Sequence, residues 1–326
     1  METALVSRAD TRKRPFYKRM AFRKSMQFYL AVAPWLIGFV LMTLAPLIVG
    51  LLTSFTNYDG LGIGLRWVGW FNYKWLFTMD REAWWGLYRT GLITIIGVPL
   101  GTIGGFALAT LLNQKVKAMG FFRTAFYIPS IIPVVVTALM FRFIYDRDGG
   151  PLNALISLFA PGRALGWLTN DLCTPALIGM MLWGLGGGMV IYLAGLQGIP
   201  IELKEVAAID GASTWQSFRH ITIPLMTPVL FFQLVMGIIR TLQTFAEPLL
   251  LTPIPNGGTF MGAMPPLNNR LFVNHAFNQI FAYQRFGYGT ALLWILFLVI
   301  LAFTLLVFKS GTYWVYYEVD QEGKRK

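Results

Sequence analysis

Residues able to do covalent or metal chemistry are scarce in this sequence and widely spaced. Cys173 is the only cysteine, and the two histidines, His220 and His275, stand far apart. A disulfide framework within the chain and a cysteine- or histidine-rich metal site are therefore without support, and no metal or cofactor is expected here. No Gly-x-x-x-x-Gly-Lys-Ser/Thr run occurs, so any ATP chemistry, with its magnesium, belongs to another polypeptide. The polar residues of interest lie instead in an apolar stretch. Gln233, Arg240 and Glu247 recur every seven residues, with Gln243 three beyond Arg240. On one unbroken helix all four share a face, expected to point inward. Charges and amides inside a membrane span are costly, so each is a candidate site residue. Their chemistry is hydrogen bonding and charge pairing, suited to the hydroxyls of a polar solute rather than to bond cleavage. An internal Arg240–Glu247 pair, or snorkelling toward the outer interface beside Pro248, is the competing reading.

The elements that must hold these residues follow from composition. The chain has 326 residues, 56% hydrophobic and 13% charged, about half the charged share of a soluble domain (~25%). With a mean hydropathy of +0.57, much of the surface must face lipid. About 20 apolar residues cross a hydrocarbon core of roughly 30 Å. Six uncharged stretches meet that length, giving an all-α membrane protein with spans at about 28–53, 90–113, 124–145, 174–196, 223–246 and 287–309, a basic tail over 1–24 and a C-terminal tail over 311–326. A seventh stretch, 248–269, is crowded with proline, glycine and asparagine and reads as a loop.

Seventeen lysines and arginines fall on the side of both termini against eight on the other, which makes both termini cytoplasmic. That asymmetry also accounts for the net charge of +12 without nucleic acid. Basic residues interleaved with Phe16, Tyr17 and Phe22 suit anionic lipid headgroups. The first apolar run is too long for a signal peptide, lacks a cleavage site and is expected to stay as an anchor. Arg142 is expected to pair with Asp146 or Asp148, or to snorkel. The run Gly184-Leu185-Gly186-Gly187-Gly188 predicts close helix packing or local unwinding at a cavity.

The cytoplasmic loop from Glu205 to Pro224 is too ordered for a plain connector. Pro200 suits a first helical turn, and Glu202 and Glu205 lie near the positive end of the helix dipole. Gly211 stops that helix at little cost in the left-handed region. Ser213 with Gln216 three residues on forms a capping box for a second short helix. Val206, Ile209 and Phe218 are left to bury against a partner or the protein's own bundle.

At this loop the sequence resembles a known family. Glu205-Val206-Ala207-x-x-x-Gly211, then nine residues, then Ile221-x-Ile223-Pro224, is similar to the EAA loop of binding-protein-dependent importer permeases of the ABC class. Gly195-Leu-Gln-Gly-Ile-Pro200 and Ile209-Asp210-Gly211-Ala212 look like its MalF-like sugar-permease branch. The likeness extends from about Tyr29 to about Phe308, through Ala33-Pro34, Ser54-Phe55-Thr56-Asn57-Tyr58, Phe121-Phe122-Arg123-Thr124 and Phe286-Gly287-Tyr288. Val206 stands where the family usually has alanine, and Ile223 where it has leucine; both stay apolar.

The resemblance implies a multi-pass inner-membrane importer subunit in a prokaryote, with Glu205, Ala207, Ala208, Asp210, Gly211, Ile221 and Pro224 coupling it to the ATPase. Two cytoplasmic ATP-binding subunits, a second permease and an extracellular solute-binding protein are the implied partners. Di- or oligosaccharides are the implied solutes, with polyols and glycerol phosphates as family alternatives. Gln233, Arg240, Gln243, Glu247 and Trp183 are then candidates for the solute pathway, Trp183 by stacking on a sugar ring or by plain packing. A secondary transporter would need matched repeats with broken helices, and an intramembrane enzyme a nucleophile with a base; neither is evident.

Overall fold

The computed structural model describes residues 20–62, 65–114, 116–252 and 264–316. The start of the basic tail, most of the outer loop after Thr252 and the last ten residues lie outside them. The chain divides after Leu52 into two compact units. In the first, α1 (Met20–Phe39) runs through a π-helical stretch, Val40–Leu44, into α2 (Ala45–Thr53). The helix thus begins inside the segment read as tail. Lys24–Thr53 is long and apolar enough to cross a membrane, and none of its most apolar stretch is buried by protein. The π turn has a cause in the sequence. Pro46 lacks an N–H and its ring would crowd the carbonyl four residues back. A turn closed by Ala45 N–H on Val40 O moves that carbonyl aside.

The second unit begins at Thr53. It contains α3 (Phe71–Thr78), α4 (Arg81–Leu112), α5 (Met119–Ile131), α6 (Val134–Ile144), α7 (Pro151–Phe159), α8 (Cys173–Trp183), α9 (Leu185–Gln197), α10 (Ile201–Ile209), α11 (Thr214–Ser217), α12 (Ile223–Leu242), α13 (Ala246–Leu251), α14 (Phe272–Phe281) and α15 (Phe286–Trp314). Three of its helices cross unbroken: Arg81–Leu112, Thr214–Leu242 and Phe286–Trp314. Two crossings are bent pairs, α5 with α6 at 97° and α8 with α9 at 45°. With Lys24–Thr53 these make up to six spans among the described residues, each bent pair counting as one.

Several expectations need correcting. The third span is not one straight rod. Ile132 and Pro133 are extended, with ψ of 129° and 140°, because a residue before proline avoids the helical region. The fourth span breaks at Gly184, which ends α8 and caps α9. The fifth does not reach residue 246. α12 stops at Leu242, closed by Gln243 N–H on Arg240 O and Thr244 N–H on Thr241 O, and α13 begins only at Ala246. The stretch read as a loop from 248 therefore begins inside a helix, and α15 extends three residues past the expected tail boundary at 311.

The core lies in three clusters. One joins α6, α8 and α13 through Ala138, Phe141, Leu177, Ile178 and Leu251. A second packs Leu76, Ala83, Phe272, Tyr288 and Leu292 between α3, α4, α14 and α15. A third, at the cytoplasmic end, packs Ala109, Leu112, Met189, Tyr192 and Met226. Glycine permits the closest approach. A Cβ at Gly186 would lie 1.8 Å from Phe126 O, so α9 lies directly on the backbone of α5. The Gly184–Gly188 run thus supplies both a break and a tight packing face.

Candidate functional site

A cavity of about 770 Å³ opens among α4, α5, α6, α8, α9, α12 and α13. The breaks in the third and fourth spans border it, with Ile132 and Gly184 on its lining. Thr102, Ser130, Thr137, Thr241 and Tyr127 put hydroxyls on its wall, and Gln233, Arg240, Glu247 and Trp183 line it as well. Its size suits a small polar ligand (~300–1,000 Å³). Arg240 and Glu247 both face the cavity yet form no ion pair within 4 Å among the described residues.

Of the five residues expected on the pathway, the structure brings Gln233, Arg240, Glu247 and Trp183 to this cavity and leaves Gln243 out. Gln243 ends α12 and is exposed elsewhere. The single-face argument failed because it assumed helix through residues 243–245. Arg142 makes no ion pair with Asp146 or Asp148 among the described residues. Asp146 Oδ2 accepts instead from Gly149 N–H.

On the cytoplasmic side the loop has the expected geometry at its first turn. α10 ends in Asp210, and Gly211 sits at φ +79°. Ala212 N–H donates to Ala207 O and Gly211 N–H to Ala208 O, a closed glycine cap. Ser213 Oγ accepts from Gln216 N–H, and Gln216 Oε1 accepts from Ser213 N–H at 2.7 Å, which completes the capping box. The second helix, however, is not separate. It continues through a π turn, Phe218–Thr222, into α12. Here too a proline follows: Ile223 N–H reaches Phe218 O, just ahead of Pro224.

Phe218 stacks between Phe106 and Trp215 and ties the loop to α4. Val206 and Ile209 turn outward, Ile209 with 85% of its surface exposed. Glu205, Ala208, Asp210 and Gly211 are exposed beside them, Ala207 is half-buried, and Ile221 and Pro224 are half-buried where the loop joins its span.

Sequence reasoning missed a third feature on the outer side. Asp80 caps α4 through Ala83 N–H and also accepts from His275 Nε2–H at 2.7 Å and from the Tyr288 hydroxyl. Burial pushes the Asp80 carboxyl up, but these three hydrogen bonds outweigh it and hold the group at about 2. The cluster locks α4, α14 and α15 together. The partners come from distant parts of the chain; only the capping aspartate ahead of Arg81-Glu82 left a local signal.

A polar-lined cavity among helices long and apolar enough to cross a membrane, with an ordered loop at one end, is the architecture of a permease. The family of inner-membrane components of binding-protein-dependent transport systems matches residues 97–314, and the chain belongs to it. The probable ABC transporter permease protein YesP of Bacillus subtilis (strain 168) is 36% identical over 310 residues, covering 94% of this chain and 97% of that protein. The arabinooligosaccharides transport system permease protein AraP of the same organism is 31% identical, over 92% of this chain and 94% of that one. Among solved structures, a bacterial ABC transporter that imports the acidic polysaccharide alginate contains a chain of the same fold, with a TM-score of 0.76 at 20% identity, covering 90% of this chain and 97% of that one. The protein is therefore an inner-membrane permease subunit of a binding-protein-dependent importer.

Proposed function

We propose that this subunit passes a di- or oligosaccharide through the cavity beside Arg240 and Glu247, and that a separate ATPase drives it by seating α10. A solute-binding protein delivers the sugar from outside, and a second permease subunit completes the pathway and presents the second coupling loop. ATP binding in paired cytoplasmic subunits draws the two loops together, and the spans respond by alternating access. The sugar class is supported by hydroxyl-bearing walls with an aromatic face at Trp183, and by the cargo for which AraP is named.

The observation that carries the ATPase reading is α10 itself. A rigidly capped helix holds Val206 and Ile209 outward on a surface that a bare connector would leave polar. In the reconstituted transporter, Glu205→Ala and Gly211→Val are each expected to lower solute-stimulated ATP hydrolysis and uptake at least tenfold while the subunits still assemble. Normal rates in both variants would defeat the coupling role of this loop.

A further inference from the structure

We propose that Asn274, on the outer helix α14, is a positioning residue that holds the break after α12 and so keeps Glu247 over the cavity. The inference rests on the reading of that cavity as the solute pathway. Asn274 is 2% exposed. Its Nδ2 donates to Phe245 O at 2.9 Å, whereas its Oδ1 is buried with no partner among the described residues. A half-satisfied buried amide is costly, and a leucine of similar size would remove that cost only by leaving Phe245 O unpaired. The one bond it does make is therefore its purpose. Phe245 is the last residue before α13, and its ring also meets that of Phe277, one turn along α14 from Asn274, at 4.8 Å. Backbone and side chain of the break are thus held by the same helix.

α14 can serve as an anchor because it is itself fixed. Phe272 N–H donates to Thr90 Oγ1 on α4, and His275 binds Asp80. Gly86 of α4 lies so close that a Cβ there would sit 3.2 Å from Phe272 Cα, and one at Gly289 of α15 would sit 2.2 Å from Ile280. From the break α13 turns to pack Leu251 against α6 and α8. Glu247 comes to the cavity on that arm, not on α12. Without the Phe245 bond, the freed segment can continue the helix of α12 and carry Glu247 off the wall.

The test uses the complete transporter in proteoliposomes and a membrane-impermeant maleimide as probe. Cys173 is buried, so labelling reports on an introduced cysteine. Glu247→Cys is expected to react at least fivefold more slowly when combined with Asn274→Leu, and within twofold of its original rate with Asn274→Gln, which keeps an amide donor. Ser130→Cys, on the opposite wall, is expected to react at an unchanged rate in all three backgrounds. Equal rates at 247 with and without Asn274→Leu would overturn the proposal. So would a matching slowdown at 130, which would mean general loosening. If neither cysteine reacts in any background, the cavity is closed to water, and it is the pathway reading that fails.

Discussion

Gly186→Ala offers the sharpest test of how the cavity is framed. The new methyl would begin 1.8 Å from Phe126 O, 2.7 Å from Phe126 C and 3.1 Å from Tyr127 Cα. All three are backbone atoms, so no rotamer change relieves the clash. Restoring ordinary contact requires α5 and α9 to part by about 1.5 Å, and overpacking of this kind costs about 3 kcal/mol. The same movement displaces Tyr127 and Ser130 from the wall they share with Gly187 and Gly188. Two neighbouring changes calibrate the effect. Gly187→Ala meets only the Ser130 side chain, at 3.3 Å, and Gly101→Ala meets nothing within 4 Å although it lines the same cavity. Thermal unfolding of the purified protein in detergent should rank them Gly101→Ala near wild type, Gly187→Ala slightly lower and Gly186→Ala lowest by a clear margin. Uptake should follow the same order. A Gly186→Ala protein as stable as Gly101→Ala would refute the direct contact of α9 with the α5 backbone.

Two further outcomes follow from local geometry. Ser213→Ala removes one half of the capping box, a loss of about 1 kcal/mol; hydrogen exchange at the Gln216 amide should then quicken about fivefold, and an unchanged rate would show the cap to be idle. Asp80 is an acid whose folded value, about 2, lies below its unfolded one, so its stabilisation is complete above about pH 4 and is lost as the pH falls through about 2, an effect on the order of 2 kcal/mol. Asp80→Asn should therefore unfold at a lower temperature than wild type at pH 7, with the gap closing toward pH 2, and a gap that stays constant with pH would remove the carboxylate from the account.

What the sequence made legible was local. Gly211, Ser213 and Gln216 lie within six residues, and each is chosen by a backbone group it satisfies, so the cap and the box could be read without a fold. The presence of apolar stretches long enough to span follows from the solvent and was equally open, although their bounds were not. The breaks were harder. Pro133 stands in plain view in the third span, yet an uncharged stretch counts only length and does not register the break at Ile132 and Pro133. The end of α12 has no proline or glycine at residues 243–245; it is fixed by Asn274 and Phe277, about thirty residues later. A face drawn on an ideal helix groups Gln243 with Arg240 and Glu247; in the structure Arg240 and Glu247 line the cavity from two different helices and Gln243, beyond the end of α12, does not. The Asp80 cluster was hidden by the same distance in sequence.

The π turn at Phe218–Thr222 sets the rotation between the cytoplasmic loop and α12. One residue more per turn rotates everything beyond it by about 100° around the axis relative to an ordinary helix. The azimuth at which Trp215 and the preceding loop leave the membrane is thus fixed by a single surplus residue beside Pro224. Deleting one residue from that stretch would leave α10, its glycine cap and the Ser213–Gln216 capping box intact and turn them to a different bearing. One insertion or deletion beside Pro224 would therefore re-aim the exposed face of α10 while leaving the residues that line the cavity unchanged.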